Sequence, residues 1–160
     1  MAPVIRPATI HDREGVSRIA TELGALHARA LPDRFREASD PMPSEYFQSL
    51  LGTDESLILV ADDDGDIVGY EILRLQETPP IEIVMPRRFV FVSDLAVLER
   101  SQGQGIGRLL VDAALAWARA QGASGIELGV YEFNEAAIAF YEHMGFRTVK
   151  RTMGLAVDRA

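Results

Sequence analysis

The fold is decided by one continuous stretch, FVFVSDLAVLERSQGQGIGRLLVDAALAW, which spans residues 89–117. Its first nine residues are rich in β-branched and aromatic side chains, which favours a strand. From Ile106 onwards, apolar residues recur at helical spacing. A glycine-rich loop, residues 102–107, connects the two elements. Together with a strand predicted at residues 125–131, the stretch forms a βαβ unit, whose strands should be parallel with a right-handed crossover.

Outside this unit the sequence predicts further strands and helices. Strands are expected at residues 4–7, 57–61, 67–75, 146–149 and 152–157. Helices are expected after a cap at Asp12, from Ser44 to Leu51, and from Asn134 to Met144. The turn Asp62–Asp66 has hairpin composition, so the strands on either side of it should be antiparallel. We therefore predict a mixed sheet in an α/β or α+β layer fold, with residues 1–160 forming a single domain.

The composition excludes several classes of function. The chain has no cysteine, so disulfides, thiolate metal sites and a thiol nucleophile are impossible. Its formal net charge of −8 repels nucleic-acid phosphates and weakly favours cationic partners such as amines. The first residues of the sequence do not have the apolar h-region of a signal peptide, and no apolar run approaches the ~20 residues that a membrane span needs. We expect a cytoplasmic protein with no nucleic-acid and no membrane partner.

The glycine-rich loop has the properties of a phosphate-binding site. Glycine lets backbone N–H groups approach a ligand, and the first N–H groups of a helix lack intrahelical partners. The helix dipole adds partial positive charge. A dinucleotide-binding GxGxxG motif that starts at Gly103 would need glycine where Arg108 stands, and the Gly-Lys-Ser/Thr of a P-loop is absent. The spacing that remains is Gln102-x-x-Gly105-x-Gly107.

Two blocks of the sequence resemble motifs of the GNAT superfamily of N-acetyltransferases. The loop is similar to the family's Q/R-x-x-G-x-G/A motif, which binds the pyrophosphate of acetyl-CoA. The segment NEAAIAFYEHMGF, residues 134–146, resembles the family's asparagine-led helix that ends in Tyr-x-x-x-Gly-Phe. The resemblance covers nearly the whole chain. It implies a mixed, mostly antiparallel central sheet flanked by helices, in which one parallel βαβ unit carries the coenzyme A loop.

The resemblance also implies which residues bind acetyl-CoA, the expected cosubstrate. Backbone groups at the end of the central strand would bond the pantetheine arm, through Leu95, Ala96 and Val97, as would Asn134. The loop would bind the pyrophosphate through Gln102, Gly103, Gln104, Gly105, Ile106, Gly107 and Arg108. Many relatives have arginine or lysine where this chain has its two loop glutamines. We therefore expect the loop to rely on backbone N–H groups, with Arg100 or Arg108 adding positive charge.

The mechanism that the resemblance implies is direct attack of an amine on the thioester. Tyr141 matches the family tyrosine that protonates the departing sulfur, and a phenol of pKa ~10 is protonated at neutral pH. The alternative interpretation of Tyr141 is purely structural: it would be a core aromatic residue on the helix face that it shares with Ala137 and Met144. Asp94 is the best candidate for the base, because it lies beside the expected thioester site and partial burial raises a carboxyl pKa. Glu132 and Glu71 are the alternatives.

The sequence therefore predicts an acyl-CoA-dependent N-acyltransferase that moves an acetyl group to a primary amine. The acceptor is a small-molecule or peptide amine, and the irregular segments 31–43 and 78–88 are expected to bind it. The histidines lack mutual metal-ligand spacing, so no metal is expected. The main alternative is a non-catalytic acyl-CoA-binding regulatory module, and a third hypothesis is a nucleotide-binding regulatory domain. A homodimer through the late strands is compatible with the family resemblance.

Overall fold

A computed structural model describes residues 2–158. The strands are β1 (Val4–Pro7), β2 (Ser56–Asp63), β3 (Asp66–Glu77), β4 (Arg88–Val97) and β5 (Ile126–Leu128). The helices are α1 (Arg13–Ala30), α2 (Ser44–Leu51), α3 (Ile106–Ala120) and α4 (Glu135–His143), with single 3-10 turns at Ile10–Asp12 and Glu99–Ser101. Contacts divide the chain into two compact units after Gly129. The first unit contains the sheet with α1 to α3, and the second contains α4.

The sheet of the first unit has the strand order β1-β2-β3-β4-β5. Neighbouring strands are antiparallel except for β4 and β5, which are parallel. The prediction of a mixed, mostly antiparallel sheet with one parallel βαβ unit is therefore confirmed. The hairpin turn between β2 and β3 is also confirmed, because Asp64 and Gly65 both have positive φ, 51° and 90°. Two consecutive positive φ angles are typical of the tight turns that match strand twist.

Helices cover both faces of this sheet. Gly69 of β3 lies directly under α3, where an added Cβ would be 3.2 Å from Cγ2 of Ile106. Side chains alternate along a strand, so Tyr70 points to the opposite face. On that second face, Arg74 reaches the hydroxyl of Tyr46 in α2. The buried core between these layers includes Val16 and Ile19 of α1, Phe47 and Leu50 of α2, and Leu110 and Ala114 of α3.

The start of α1 differs in one detail from the sequence prediction. The helix begins directly after Asp12, as expected, but the Asp12 side chain makes no capping hydrogen bond to the helix. Its carboxylate accepts instead from the Arg6 guanidinium and from the backbone N–H of Thr9, at 2.7 to 2.9 Å. The Arg6 hydrogen bond holds the pKa of Asp12 down at about 2. Asp12 therefore ties β1 to the turn that precedes α1.

A β-bulge divides β4 into two parts. Val92 pairs with Leu73 of β3, and the next paired position joins Asp94 to Ile72, so Ser93 is an extra residue. On its other side, β4 pairs with β5 only from Val90 to Val92. Among the residues that the structure describes, the part of β4 beyond the bulge therefore has a strand neighbour on one side only. Bulges bend a strand and re-aim its side chains, and they are frequent beside functional sites.

Two strands that the sequence predicts in the second unit are not formed. The predicted strands at residues 146–149 and 152–157 are wrong, since residues 146–158 form no strand. The predicted strand at 125–131 is also shorter, covering only Ile126–Leu128. β-propensity favours an extended backbone, but a strand also needs a partner that completes its hydrogen-bond ladder. Without one, the apolar side chains of this segment are exposed at Val149, Met153, Leu155 and Val157.

No helix within residues 2–158 combines the length and the apolar character that crossing a membrane requires.

Candidate active site

The end of β4 offers unpaired backbone groups. Leu98 N donates to Val68 O of β3 at 2.9 Å. In an antiparallel ladder the bonding direction alternates, so the N–H and C=O groups of Leu95 and Val97 point away from β3. They face the side where pairing with β5 has ended, at Leu128. By the same alternation Ala96 points its backbone groups towards β3. Of the three predicted pantetheine contacts, Leu95 therefore has both backbone groups unpaired, whereas Val97 has only its N–H, since its C=O accepts from Gln102.

The side chain of Gln102 ties the glycine-rich loop to this edge. Its Nε2 donates to Val97 O at 3.0 Å. The loop itself has positive φ at Gly103 (75°) and Gly105 (82°), a conformation that L-residues with a Cβ rarely adopt. No other heavy atom lies within 4 Å of a Cβ built on either glycine, so the space above both is open.

Helix α3 starts at this loop with its N–H groups directed outwards. Its hydrogen-bond ladder begins where Leu109 N donates to Gly105 O at 3.1 Å. The N–H groups of Ile106, Gly107 and Arg108 precede that ladder and are available to an anion. Gln104 is exposed. The predicted pyrophosphate contacts from Gln102 to Arg108 therefore lie together at one helix N-terminus, beside the free edge of β4.

The two arginines predicted to add charge here are placed differently. Arg100 forms an ion pair with Asp66, whose carboxylate also binds Arg18, so its guanidinium is already engaged by another group. Arg108 has 65% of its side chain exposed and only a 4.0 Å contact with Asp112, one helical turn later. An exposed pair of this kind contributes little. Of the two, Arg108 is the one free to reach a phosphate.

Asp94 lies at the bulge and is largely buried. Tyr70 of β3 donates a hydrogen bond from its hydroxyl to Oδ2 of Asp94 at 3.1 Å. Burial raises the pKa of Asp94 above its ordinary value, while the Tyr70 hydrogen bond and the charges of Arg74 and His27 act in the opposite direction. A carboxyl group whose pKa is raised towards neutrality is suited to accept a proton from an amine.

A second polar pair adjoins Asp94. Arg74 of β3 donates from Nε to Ser93 Oγ at 3.1 Å and from Nη2 to Tyr46 Oη at 3.0 Å. Ser93 is the bulge residue, so the bulge turns two consecutive β4 side chains towards the same face of β3. Residues of α1, α2, β3 and β4 thus form one polar cluster on the face opposite α3, which consists of His27, Tyr46, Tyr70, Arg74, Ser93 and Asp94.

Sequence reasoning missed most of this cluster. The histidines were considered above only as metal ligands, but His27 lies near enough to Asp94 for its charge to affect that group, and its ring contacts Phe35 at 5.3 Å. Phe35 belongs to the predicted acceptor segment 31–43. The detectable signal was the period of two along β3, which places polar Tyr70 and Arg74 on the same face of the strand.

The two alternative bases lie elsewhere. Glu71 follows Tyr70 and therefore faces α3, where it is 0% exposed. Both of its carboxyl oxygens lack a hydrogen-bond partner, and burial raises its pKa to about 9. Glu132, in the second unit, is exposed and lies 3.8 Å from Arg151. Neither carboxyl group belongs to the polar cluster.

The second unit holds the remaining predicted residues. Asn134 caps α4, because its Oδ1 accepts from the backbone N–H of Ala137 at 3.2 Å. Its side-chain N–H groups donate to nothing within residues 2–158. The Tyr141 ring, on the same helix, lies 5.3 Å from that of Phe140 and 5.5 Å from that of Phe146. Both sequence motifs thus form a local structure of the kind expected.

The described residues offer no metal site. Between residues 2 and 158, no group of three histidine, cysteine, aspartate or glutamate side chains is placed to hold an ion.

Known proteins are similar to this chain in sequence and in fold. The model of the acetyltransferase (GNAT) family matches residues 23–146. An uncharacterized N-acetyltransferase of Bacillus subtilis is 31% identical over 113 residues, which cover 70% of this chain and 73% of that protein. A solved structure of a mutant Bacillus halodurans protein has a TM-score of 0.93 and 36% identity, and the match covers 96% of this chain and 99% of the other.

A mycothiol acetyltransferase of Propionibacterium freudenreichii is 33% identical over 120 residues. The match covers 75% of this chain and 35% of that protein, so this chain spans about a third of its length.

Proposed function

The chain belongs to the GNAT acetyltransferase family, and on that premise we propose that it transfers an acetyl group from acetyl-CoA to a primary amine at the polar cluster around Asp94. The family relationship confirms the predicted enzyme class, an acyl-CoA-dependent N-acyltransferase. The identity of the acceptor and the roles of individual residues belong to the proposal.

One observation carries the proposal: a free strand edge, an open helix N-terminus and a buried carboxyl group adjoin one another around β4. The edge offers the N–H and C=O groups of Leu95 and the N–H group of Val97 to an amide-containing chain such as pantetheine. The loop, through Gly103 to Arg108, offers N–H groups to a pyrophosphate. Acetyl-CoA contains both groups, so its chemistry fits these donors and acceptors.

Asp94 is proposed as the proton acceptor. An amine of pKa ~8 to ~10 is mostly protonated at pH 7 and cannot attack until it loses a proton. Asp94, whose pKa is raised by burial, takes that proton directly or through water. The neutral amine nitrogen then attacks the thioester carbonyl, and the carbon–sulfur bond breaks as the amide bond forms. The nitrogen releases its second proton through water, which restores the Tyr141 phenol after it has protonated the sulfur.

Tyr141 is proposed as the proton donor to the departing sulfur, which leaves as free thiol. Asn134 is proposed to bond the pantetheine arm through side-chain N–H groups that the helix cap does not use. Ala96, whose backbone groups bond β3, is proposed to shape the edge rather than to donate to the ligand. The match to the family model includes parts of both compact units, which supports one catalytic domain.

The test is a thiol-release assay with acetyl-CoA and a panel of polyamines, amino acids, antibiotic amines and peptides. Release that depends on one class of amine and disappears in Asp94→Asn supports the proposal. Binding of coenzyme A without release with any amine would favour the non-catalytic acyl-CoA-binding module. A cytoplasmic location and a homodimer are further proposals, which localisation and sedimentation experiments would test.

A further inference from the structure

We infer that the acceptor amine also carries a carboxylate and that Arg74 binds this carboxylate, so that the substrate class is small amino acids. This inference rests on the proposed function, because it assigns a second binding group to the same cluster. It begins with an unusual feature of Arg74. The side chain is half-buried, yet within residues 2–158 no carboxylate oxygen lies within 4.0 Å of its guanidinium.

Other arginines of the chain show the usual arrangement. Arg6, which is also partly buried, binds the carboxylates of Asp12 and Asp62. Arg87 binds Glu127, and Arg88 binds Glu77. Removing a guanidinium from water is costly unless a counter-charge compensates for the lost hydration. Within residues 2–158, the Arg74 guanidinium donates hydrogen bonds only to the neutral hydroxyls of Ser93 and Tyr46, so an anionic ligand can still form an ion pair with it.

The two hydroxyls hold the guanidinium in a defined orientation. A guanidinium has five N–H groups, and the bonds to Ser93 and Tyr46 use Nε and one hydrogen of Nη2. The other Nη2 hydrogen and both Nη1 hydrogens have no acceptor among residues 2–158. Nη1 and Nη2 together form the planar edge that binds a carboxylate through two parallel hydrogen bonds. Tyr46 is 39% exposed, so this region of the cluster is open to solvent.

The neighbouring charge identifies the rest of the ligand. Arg74 bonds Ser93, and the next residue is Asp94, so a cation and a carboxyl group lie side by side on one face of the sheet. A zwitterion that bears an ammonium and a carboxylate a few bonds apart complements both groups. A phosphate in place of the carboxylate would bring up to two negative charges beside Asp94, which like-charge repulsion disfavours. A carboxylate is therefore the better match.

The test compares matched acceptors in the thiol-release assay. Each of a set of free amino acids is paired with its carboxamide and with the corresponding decarboxylated amine. The wild-type protein should show a kcat/KM for at least one free amino acid that exceeds that for its amide by about ten- to a hundredfold. Arg74→Met, which keeps the apolar stem, should reduce this ratio to about 1. The ratio is the measured quantity, because the Arg74 charge also lowers the pKa of Asp94 and its loss should alter the rate with both acceptors.

Two further variants test whether the effect depends on the planar guanidinium at position 74 and not simply on the loss of a positive charge. Arg74→Lys keeps the charge but loses the planar edge, so it should recover only part of the preference. Arg119→Met removes an exposed arginine at the far end of α3 and should leave the preference intact. The melting temperature of each variant shows whether it folds. If Arg74→Met does not fold, the test rests on Arg74→Lys alone. A wild-type preference of that variant for the free amino acid over its amide would then overturn the inference.

A second measurement separates this inference from the proposed function. Calorimetry measures the binding of free amino acids and their amides to the protein saturated with coenzyme A. Tighter binding of the acid that depends on Arg74, without turnover, would keep the inference and reject the proposed catalysis. Turnover of amines with no preference for the acid, or with a preference for phosphoethanolamine, would reject the inference and keep the catalysis. Neither binding nor turnover would reject both.

Discussion

The hydroxyl of Tyr70 donates a hydrogen bond to the carboxylate of Asp94 at 3.1 Å, across the boundary between β3 and β4. Burial raises the pKa of Tyr70, so the phenol keeps its proton and acts as a permanent donor. The bulge at Ser93 makes this contact possible, because it shifts Asp94 by one position relative to β3. This pair sets the acidity of the proposed base, so the pH dependence of the enzyme should report on it.

Removing the Tyr70 hydroxyl should shift the low-pH limb of the plot of kcat/KM against pH to higher pH. The hydrogen bond stabilises the ionised form of Asp94 and lowers its pKa, so Tyr70→Phe should raise that pKa further. In a plot of kcat/KM against pH, the fall at low pH should then begin at a higher pH than in the wild type. Asp94→Asn should itself lower kcat by about 10²- to 10⁴-fold. Adding Tyr70→Phe to Asp94→Asn should produce no further shift, and a shift in that double variant would contradict the assignment.

Glu71 should make the free energy of unfolding depend on pH. Burial raises its folded-state pKa from an ordinary 4.5 to about 9. Its contribution to stability is therefore fully present below pH 4.5 and is lost as the pH rises through about 9, by up to about 1.4 kcal/mol per pH unit between these values. Glu71→Gln removes the titration and should flatten the dependence, which urea unfolding at a series of pH values would measure.

The control for Glu71 is Glu55→Gln, since Glu55 is exposed at the surface. Its curve should follow that of the wild type. Equal slopes in the wild type and in Glu71→Gln would mean that Glu71 is not protonated inside the fold.

Gly105→Ala should weaken the binding of acetyl-CoA. Gly105 has φ of 82° at the start of α3, and an L-residue held in that region costs about 1–2 kcal/mol, so the loop should relax away from its present shape. Gly122→Ala is the matched control, since Gly122 has φ of 69° just after the end of the same helix. Both variants should lose similar stability. Only Gly105→Ala should raise the KM for acetyl-CoA, and an equal rise in both would point to general destabilisation.

Tyr141→Phe should lower turnover and leave coenzyme A binding nearly intact, because the change removes a proton donor but keeps the ring. The ring contacts with Phe140 and Phe146 should persist, so the melting temperature should change little. Stopped-flow or steady-state kcat together with calorimetric coenzyme A affinity measures both effects. An unchanged kcat would remove Tyr141 from the mechanism and leave water as the donor to the sulfur.

The local structure of this protein could be predicted from its sequence because the determining signals are local. The helical spacing of apolar residues predicts α3, and the Asp-Gly turn predicts the β2–β3 hairpin. The glycines before Ile106 predict an open helix N-terminus. The spacing of two motifs gave the family. Each of these features depends on residues that are close in the chain, so the sequence order displays them directly.

Only the tertiary structure decided which polar groups meet. Tyr46, Tyr70, Arg74 and Asp94 come from three separate elements, and the one-residue bulge at Ser93 brings them together. Bulges and strand partners depend on contacts between distant segments, which no local pattern encodes. For the same reason, residues 146–158 have the composition of strands but form none, since β-propensity does not provide a partner strand. The coenzyme A loop was visible in the sequence, whereas the cluster around Asp94 required the fold.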